Sequence, residues 1–126
     1  MRAHGTLDVV PKTPNYNGRR FTVVTNSDAG ETTAATTFDY RQDGDVVWAT
    51  YGGGGILRGT LVARVLDDGG LEMRYQHLNR ALEFRCGTCR SRLEVLPDGR
   101  YRMHEQWQWT EPFTDRGESV VEEEQP

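Results

Sequence analysis

Three Asp-Gly pairs punctuate the chain, and each stands between two strand-like runs: Asp43-Gly44, Asp68-Gly69 and Asp98-Gly99. Asp-Gly supplies the positive φ that a tight hairpin turn requires, so the chain reads as a succession of hairpins. No apolar pattern of period 3.6 persists for three turns to compete with that reading. Thirteen Thr and eleven Val, against one Ile, also favour extended backbone. The runs between the turns predict strands over 20–25, 34–42, 45–51, 56–66, 71–79, 82–95, 100–110 and 117–124. Short connections make sequential neighbours antiparallel.

Residues 1–19, with Pro11, Pro14 and Gly18, read as an irregular lead-in, residues 20–124 as one β-barrel domain and 125–126 as a tail. The segment from Glu122 to Pro126 is expected to fray. A chain of 126 residues holds a single core. Eight sequential antiparallel strands then leave two architectures. The expected one is all-β, an eight-stranded up-and-down barrel, because closure removes the exposed edges. The alternative is a β-sandwich.

Charge and hydropathy exclude several functions. No run of about 18 apolar residues exists, so no membrane partner is expected. No apolar stretch follows Met1-Arg2-Ala3-His4-Gly5, so no signal peptide is read and a cytoplasmic location is expected. The net charge of -4 resides in the last segment, where Asp115, Glu118, Glu122, Glu123 and Glu124 face only Arg116. A nearly neutral body with an acidic, solvated end lacks the electrostatic footprint of a nucleic-acid binder. Lys12 is the only lysine among the basic residues, a composition that fits GC-rich bacterial coding.

Alternation assigns the faces. Over 56–66 it turns Leu57, Gly59, Leu61, Ala63 and Val65 inward; over 71–79, Leu71, Met73, Tyr75, His77 and Asn79. Over 101–109 it turns Tyr101, Met103, Glu105, Trp107 and Trp109 inward. Thr36, Phe38 and Tyr40 share a face, as do Val47, Ala49 and Tyr51, which leaves Trp48 outside. A core built for stability alone would use Leu, Ile, Val and Phe. An inward face rich in aromatics with a few convergent polar groups resembles a small-molecule pocket. The competing reading is a structural hydrogen-bond network of the Tyr hydroxyls, His77 and Glu105 at the barrel mouth.

Cys86-Gly87-Thr88-Cys89 lacks the βαβ setting of a redox Cys-x-x-Cys, and only His4, His77 and His104 are available as further zinc ligands. The two cysteines therefore read as plain reduced thiols, with Gly87 marking a bulge, and no metal or cofactor is expected. His104 reads as a solvated surface residue. Gly52-Gly53-Gly54-Gly55 reads as a flexible hairpin loop. It leads into strand-like Ile56-Leu57-Arg58, not into the helix that an acetyl-CoA pyrophosphate needs, so acetyl transfer is not expected.

Several segments carry a family resemblance. They are Thr37-Phe38-Asp39-Tyr40-Arg41-Gln42-Asp43-Gly44, Tyr51-Gly52-Gly53-Gly54 and Met73-Arg74-Tyr75-Gln76-His77-Leu78-Asn79. The most specific runs from Leu96-Pro97-Asp98-Gly99-Arg100 through His104-Glu105-Gln106-Trp107-Gln108-Trp109. Over about residues 20–124 the chain resembles a family of short bacterial proteins often given the name N-acetylglutamate synthase. The resemblance implies a calycin-like barrel, similar in broad architecture to lipocalins and avidins. It brings no residue-by-residue mechanism.

The functional expectation is a barrel that binds a small organic ligand or substrate. As an enzyme it would perform acid–base chemistry of the cyclase or isomerase kind with Glu105, His77 and Tyr75 as catalytic groups. Trp107, Trp109, Tyr101, Tyr51, Tyr40, Phe38, Asn79 and Met73 would bind the ligand. As a non-catalytic carrier it would hold a small aromatic ligand in the same place. A partner held on the outer face around Trp48, or a second copy in a homodimer, is left open. Burial among aromatics is expected to raise the Glu105 pKa, and His77 and Glu105 are expected to meet across the lumen.

Overall fold

All three Asp-Gly turns form. In the computed structural model, which describes residues 14–125, Gly44, Gly69 and Gly99 have φ of 60°, 86° and 91°. They help join eight strands: β1 (Arg20–Asn26), β2 (Thr37–Asp43), β3 (Val46–Gly53), β4 (Ile56–Val65), β5 (Leu71–Asn79), β6 (Phe84–Val95), β7 (Tyr101–Glu111) and β8 (Asp115–Glu123). Each strand pairs antiparallel with the next, and β1 pairs with β8, so the sheet closes into a barrel. The expected up-and-down barrel is the fold, and closure excludes the sandwich. Residues 1–13, with His4 and most of the expected lead-in, and the final Pro126 lie outside the described residues. No helix among the described residues is long and apolar enough to cross a membrane.

Four local readings are corrected. The second strand starts at Thr37, not at residue 34, because Thr36 folds the chain back: its amide donates to Thr33 O at 2.8 Å and its hydroxyl accepts from Thr33 N at 3.1 Å. Leu57 faces solvent and Ile56 is buried, because a register shift between Ile56 and Arg58 moves the alternation by one residue. The sixth strand starts at Phe84 rather than residue 82, after a turn in which Leu82 has a φ of 63°. The acidic end does not fray at Glu122, because β8 continues to Glu123 against β1. Glu123 pairs with Arg19 at 2.7 Å, and Glu122 with Arg102 at 2.7 Å and Arg100 at 3.1 Å. Such partly exposed pairs are individually weak, and together they offset the repulsion that fraying would relieve.

Antiparallel order sends connections alternately to the two ends. The Asp-Gly turns share one end, while the connections 27–36, 54–55, 80–83 and 112–114 share the other. Tyr16, fully buried although it belongs to no strand, stops the Asp-Gly end. Its ring meets Tyr101 edge-on at 5.4 Å, and its hydroxyl donates to Gly69 O at 2.6 Å. Phe21 packs on Tyr40 at 5.0 Å beside it. Aromatic pairs of this kind add about 0.5–1.5 kcal/mol each beyond their buried area. One end is thus a dry aromatic core, and polar interior groups are left to the other.

Candidate functional site

Above that core lies an interior cavity of about 50 Å³, room for a few waters at roughly 10–15 Å³ each. Its aromatic wall is made by Phe38, Tyr51, Tyr75, Trp107 and Trp109. Three of these rings owe their position to glycine. Tyr51, Tyr75 and Trp107 stand opposite Gly59, Gly87 and Gly117 on the neighbouring strand. A Cβ on Gly59 or Gly117 would strike the facing ring, and one on Gly87 would strike the Tyr75 hydroxyl. The missing side chains let the rings lie against the wall, so they do not fill the lumen.

Glu105 is the central polar group. It lines the cavity and accepts a hydrogen bond from Ser119 Oγ at 2.9 Å. The residue keeps a little exposed surface, but its carboxyl is enclosed, and burial pushes it up to about 7 against a smaller opposing effect of the Ser119 hydroxyl. Its charge is near enough to Tyr40, Tyr51, Tyr75 and Cys89 to help raise all four, although burial is the main cause at each. Ser91, its register partner on β6, is buried with a hydroxyl that has no hydrogen-bond partner among the described residues.

His77 stands at the mouth, buried, with both nitrogens engaged. Tyr51 Oη lies 2.9 Å from Nδ1, and Glu31 Oε1 lies 2.8 Å from Nε2. Burial lowers the imidazole's pKa, opposed by Glu31, and burial raises that of the phenol. The protonation that satisfies both is a neutral ring: Tyr51 donates to Nδ1, and Nε2–H donates to the Glu31 carboxylate.

Glu31 belongs to the 27–36 connection, which roofs the cavity. Arg85 Nε donates to its Oε2 at 3.1 Å, and Asn79 Nδ2 lies 3.4 Å from both carboxylate oxygens. The indoles secure the same roof. Trp109 Nε1 donates to Ala29 O at 3.0 Å, and Trp107 Nε1 to Asn26 Oδ1 at 3.0 Å, while Asn26 Nδ2 bonds Thr32.

Of the residues singled out from sequence, Glu105, His77, Tyr75, Trp107, Trp109, Tyr51, Phe38 and Met73 line one cavity. Asn79 stands at the mouth beside Glu31. Tyr40 and Tyr101 belong to the closed-end core with Tyr16 and Phe21. His77 and Glu105 share the cavity without a hydrogen bond between them: the carboxylate that meets His77 is Glu31. Ser119 was missed although it alternates in phase with Gly117 and Val121. Glu31 was missed because an irregular connection has no alternation to read, and Asn26 because it ends β1 one residue past the expected strand and beyond a register shift between Val23 and Thr25. His104 is half-buried and pairs with Glu94 at 2.8 Å, so it is not simply solvated. Cys86 and Cys89 are free thiols on either side of a register shift at Gly87.

Among the described residues no group of three or more His, Cys, Asp or Glu side chains is arranged to hold a metal ion. What the arrangement offers is a flat aromatic enclosure with one carboxyl near its neutralisation point and a roof held by side-chain bonds. Comparison with known proteins finds no match among curated proteins or solved structures. The profile of the avidin-like protein family matches residues 14–124. With the closed eight-stranded barrel, that match places the chain in the avidin-like protein family.

Proposed function

We propose that the barrel binds a small organic molecule in its interior cavity, held between the aromatic wall and the Glu105 carboxyl. The observation that carries this reading is Glu105 itself. An enclosed carboxyl with a single serine partner is costly for a structural core, whereas in a pocket it is a donor when protonated and an acceptor when ionised. A carboxyl near 7 serves either way. Membership of the avidin-like family and the glycine-backed rings support the same reading. A ring-sized ligand enters only when part of the roof, such as the Glu31 side chain, moves aside, because the cavity of about 50 Å³ holds a few waters. The test is a small-molecule screen read by tryptophan fluorescence and thermal shift, on the wild type and on Glu105→Gln. Ligands lost in Glu105→Gln support the reading; ligands bound equally by both sink it.

The near-neutral carboxyl also favours a second reading, acid–base turnover of the bound molecule by cyclisation or isomerisation. Glu105 then moves the proton. Tyr75, whose hydroxyl makes only a long 3.4 Å bond to Gln108 O among the described residues, donates to the charge that develops. His77, with both nitrogens engaged, supports Tyr51 and the roof. Turnover with a pH–rate inflection that disappears in Glu105→Gln distinguishes the enzyme from a carrier.

A further inference from the structure

The mouth of the barrel contains an assembled carboxylate receptor, and the chain fills it with its own side chain. His77 Nε2, Arg85 Nε and Asn79 Nδ2 come from one hairpin, β5–β6, and converge on the two oxygens of Glu31. The receptor is built into the wall: the His77 side chain is 1% exposed and that of Arg85 11%. Its far side is also secured. Arg85 Nη2 pairs with Glu83 at 3.0 Å, Asn79 Oδ1 accepts from the amides of Ala81 and Glu83, and Tyr51 holds His77 Nδ1.

The occupant is less fixed. Glu31 follows Gly30 in a connection without strand structure, and among the described residues its carboxylate makes no further hydrogen bond beyond those to His77, Arg85 and Asn79. The roof has independent ties through Ala29, Asn26 and the Thr33–Thr36 turn. Glu31 can therefore leave while the rest of the connection stays attached. Its departure empties a cradle that opens onto the aromatic cavity. Arg85 then carries a charge that Glu83, with a 55% exposed side chain, offsets only at the solvent side.

We propose that this cradle is the entry subsite for a ligand carboxylate, and that Glu31 is its built-in competitor. This deepens the ligand-binding reading above and rests on it. The ligand class is a small monocarboxylic acid with a flat apolar body: the carboxylate replaces that of Glu31 on His77, Arg85 and Asn79, and the body enters among Tyr75, Trp107 and Trp109. Carboxylate replaces carboxylate, so the charge balance at the mouth is kept. An intramolecular competitor lowers apparent affinity by the fraction of time it occupies the site.

Benzoate and its neutral counterpart benzamide are the probes, with binding read by calorimetry and tryptophan fluorescence. Glu31→Ala binds benzoate about tenfold or more tighter than the wild type does. Adding Arg85→Met abolishes the gain. Benzamide affinity changes much less in both. Should Glu31→Ala not fold, Glu31→Gln, which keeps the shape and loses the charge, shows a smaller gain of the same sign. The proposal is overturned if benzoate binds the Glu31 variant no tighter than wild type, if the gain survives Arg85→Met, or if benzoate binds neither protein. Benzamide binding that depends on Glu105, without any benzoate gain, overturns the cradle and leaves the cavity reading intact.

Discussion

Ser119 Oγ donates to Glu105 Oε1 at 2.9 Å, and it is the one side-chain hydrogen bond that reaches this carboxyl among the described residues. One hydroxyl does not compensate for enclosure, which is why the group rises from 4.5 to about 7. Between those values the folded state holds a proton that the unfolded chain has released. Stability therefore falls as pH rises from about 4.5 through 7. The loss is at most about 3–4 kcal/mol, from roughly 1.4 kcal/mol per unit. Glu105→Gln, always neutral, is expected to melt close to the wild type at pH 5 and above it at pH 8. Thermal denaturation across that range checks this; parallel curves for the two proteins would contradict it.

His77 titrates in the opposite sense. Its folded pKa lies below 6.5, mainly through burial, so the unfolded chain takes up a proton first as pH falls. The stability linked to a neutral His77 is complete above pH 6.5 and is lost as pH drops toward the folded value. The C2 proton of His77 in NMR should titrate with a midpoint below 6.5. A midpoint above 6.5 would mean that the Glu31 ion pair outweighs burial.

Gly117 faces Trp107 across β7–β8. Gly117→Ala places a Cβ against the indole and within 2.8 Å of the Ser27 side chain. The ring must move into the lumen, at an expected cost of about 1–3 kcal/mol. Urea denaturation measures the loss. Tryptophan emission should shift with it, because the Trp107 bond to Asn26 is disturbed. An alanine tolerated on both measures would show that the ring has another place to lie.

Tyr16 closes the Asp-Gly end from outside any strand. Tyr16→Ala should cost about 3–5 kcal/mol, as truncation of a buried aromatic does. Tyr16→Phe keeps the packing and removes the donor to Gly69 O, at a cost of about 1–3 kcal/mol. Chemical denaturation ranks the two. If Tyr16→Ala loses less than about 1 kcal/mol, the segment before β1 is an ornament on the barrel, not its stopper.

The strands, their order and most of the interior were legible in the linear sequence. Asp-Gly pairs mark reversals, and a period of two tells which side chains turn inward. That is how Glu105, His77, Tyr51, Tyr75, Trp107 and Trp109 were read as interior. Alternation gives a side chain's face but not its height along the barrel axis. Height is set by the cross-strand register, so only the closed barrel separates Tyr40 and Tyr101, in the dry end, from the rings around the cavity. The bulge at Leu57 is likewise a property of the β4–β5 pair, since both Ile56 and Leu57 are apolar and neither alone signals which turns in. Glu31, Asn26 and Tyr16 lie at the edges of strands or outside them, where no period applies, and they are brought to the interior by partners 26 to 81 residues away at Gln42, Gly69, His77 and Trp107. The most distant of them, Trp107 on β7, meets Asn26 on β1 only because β8 closes on β1. The tertiary structure therefore decided which carboxylate faces His77, because a hydrogen bond depends on positions in space that local sequence patterning does not encode.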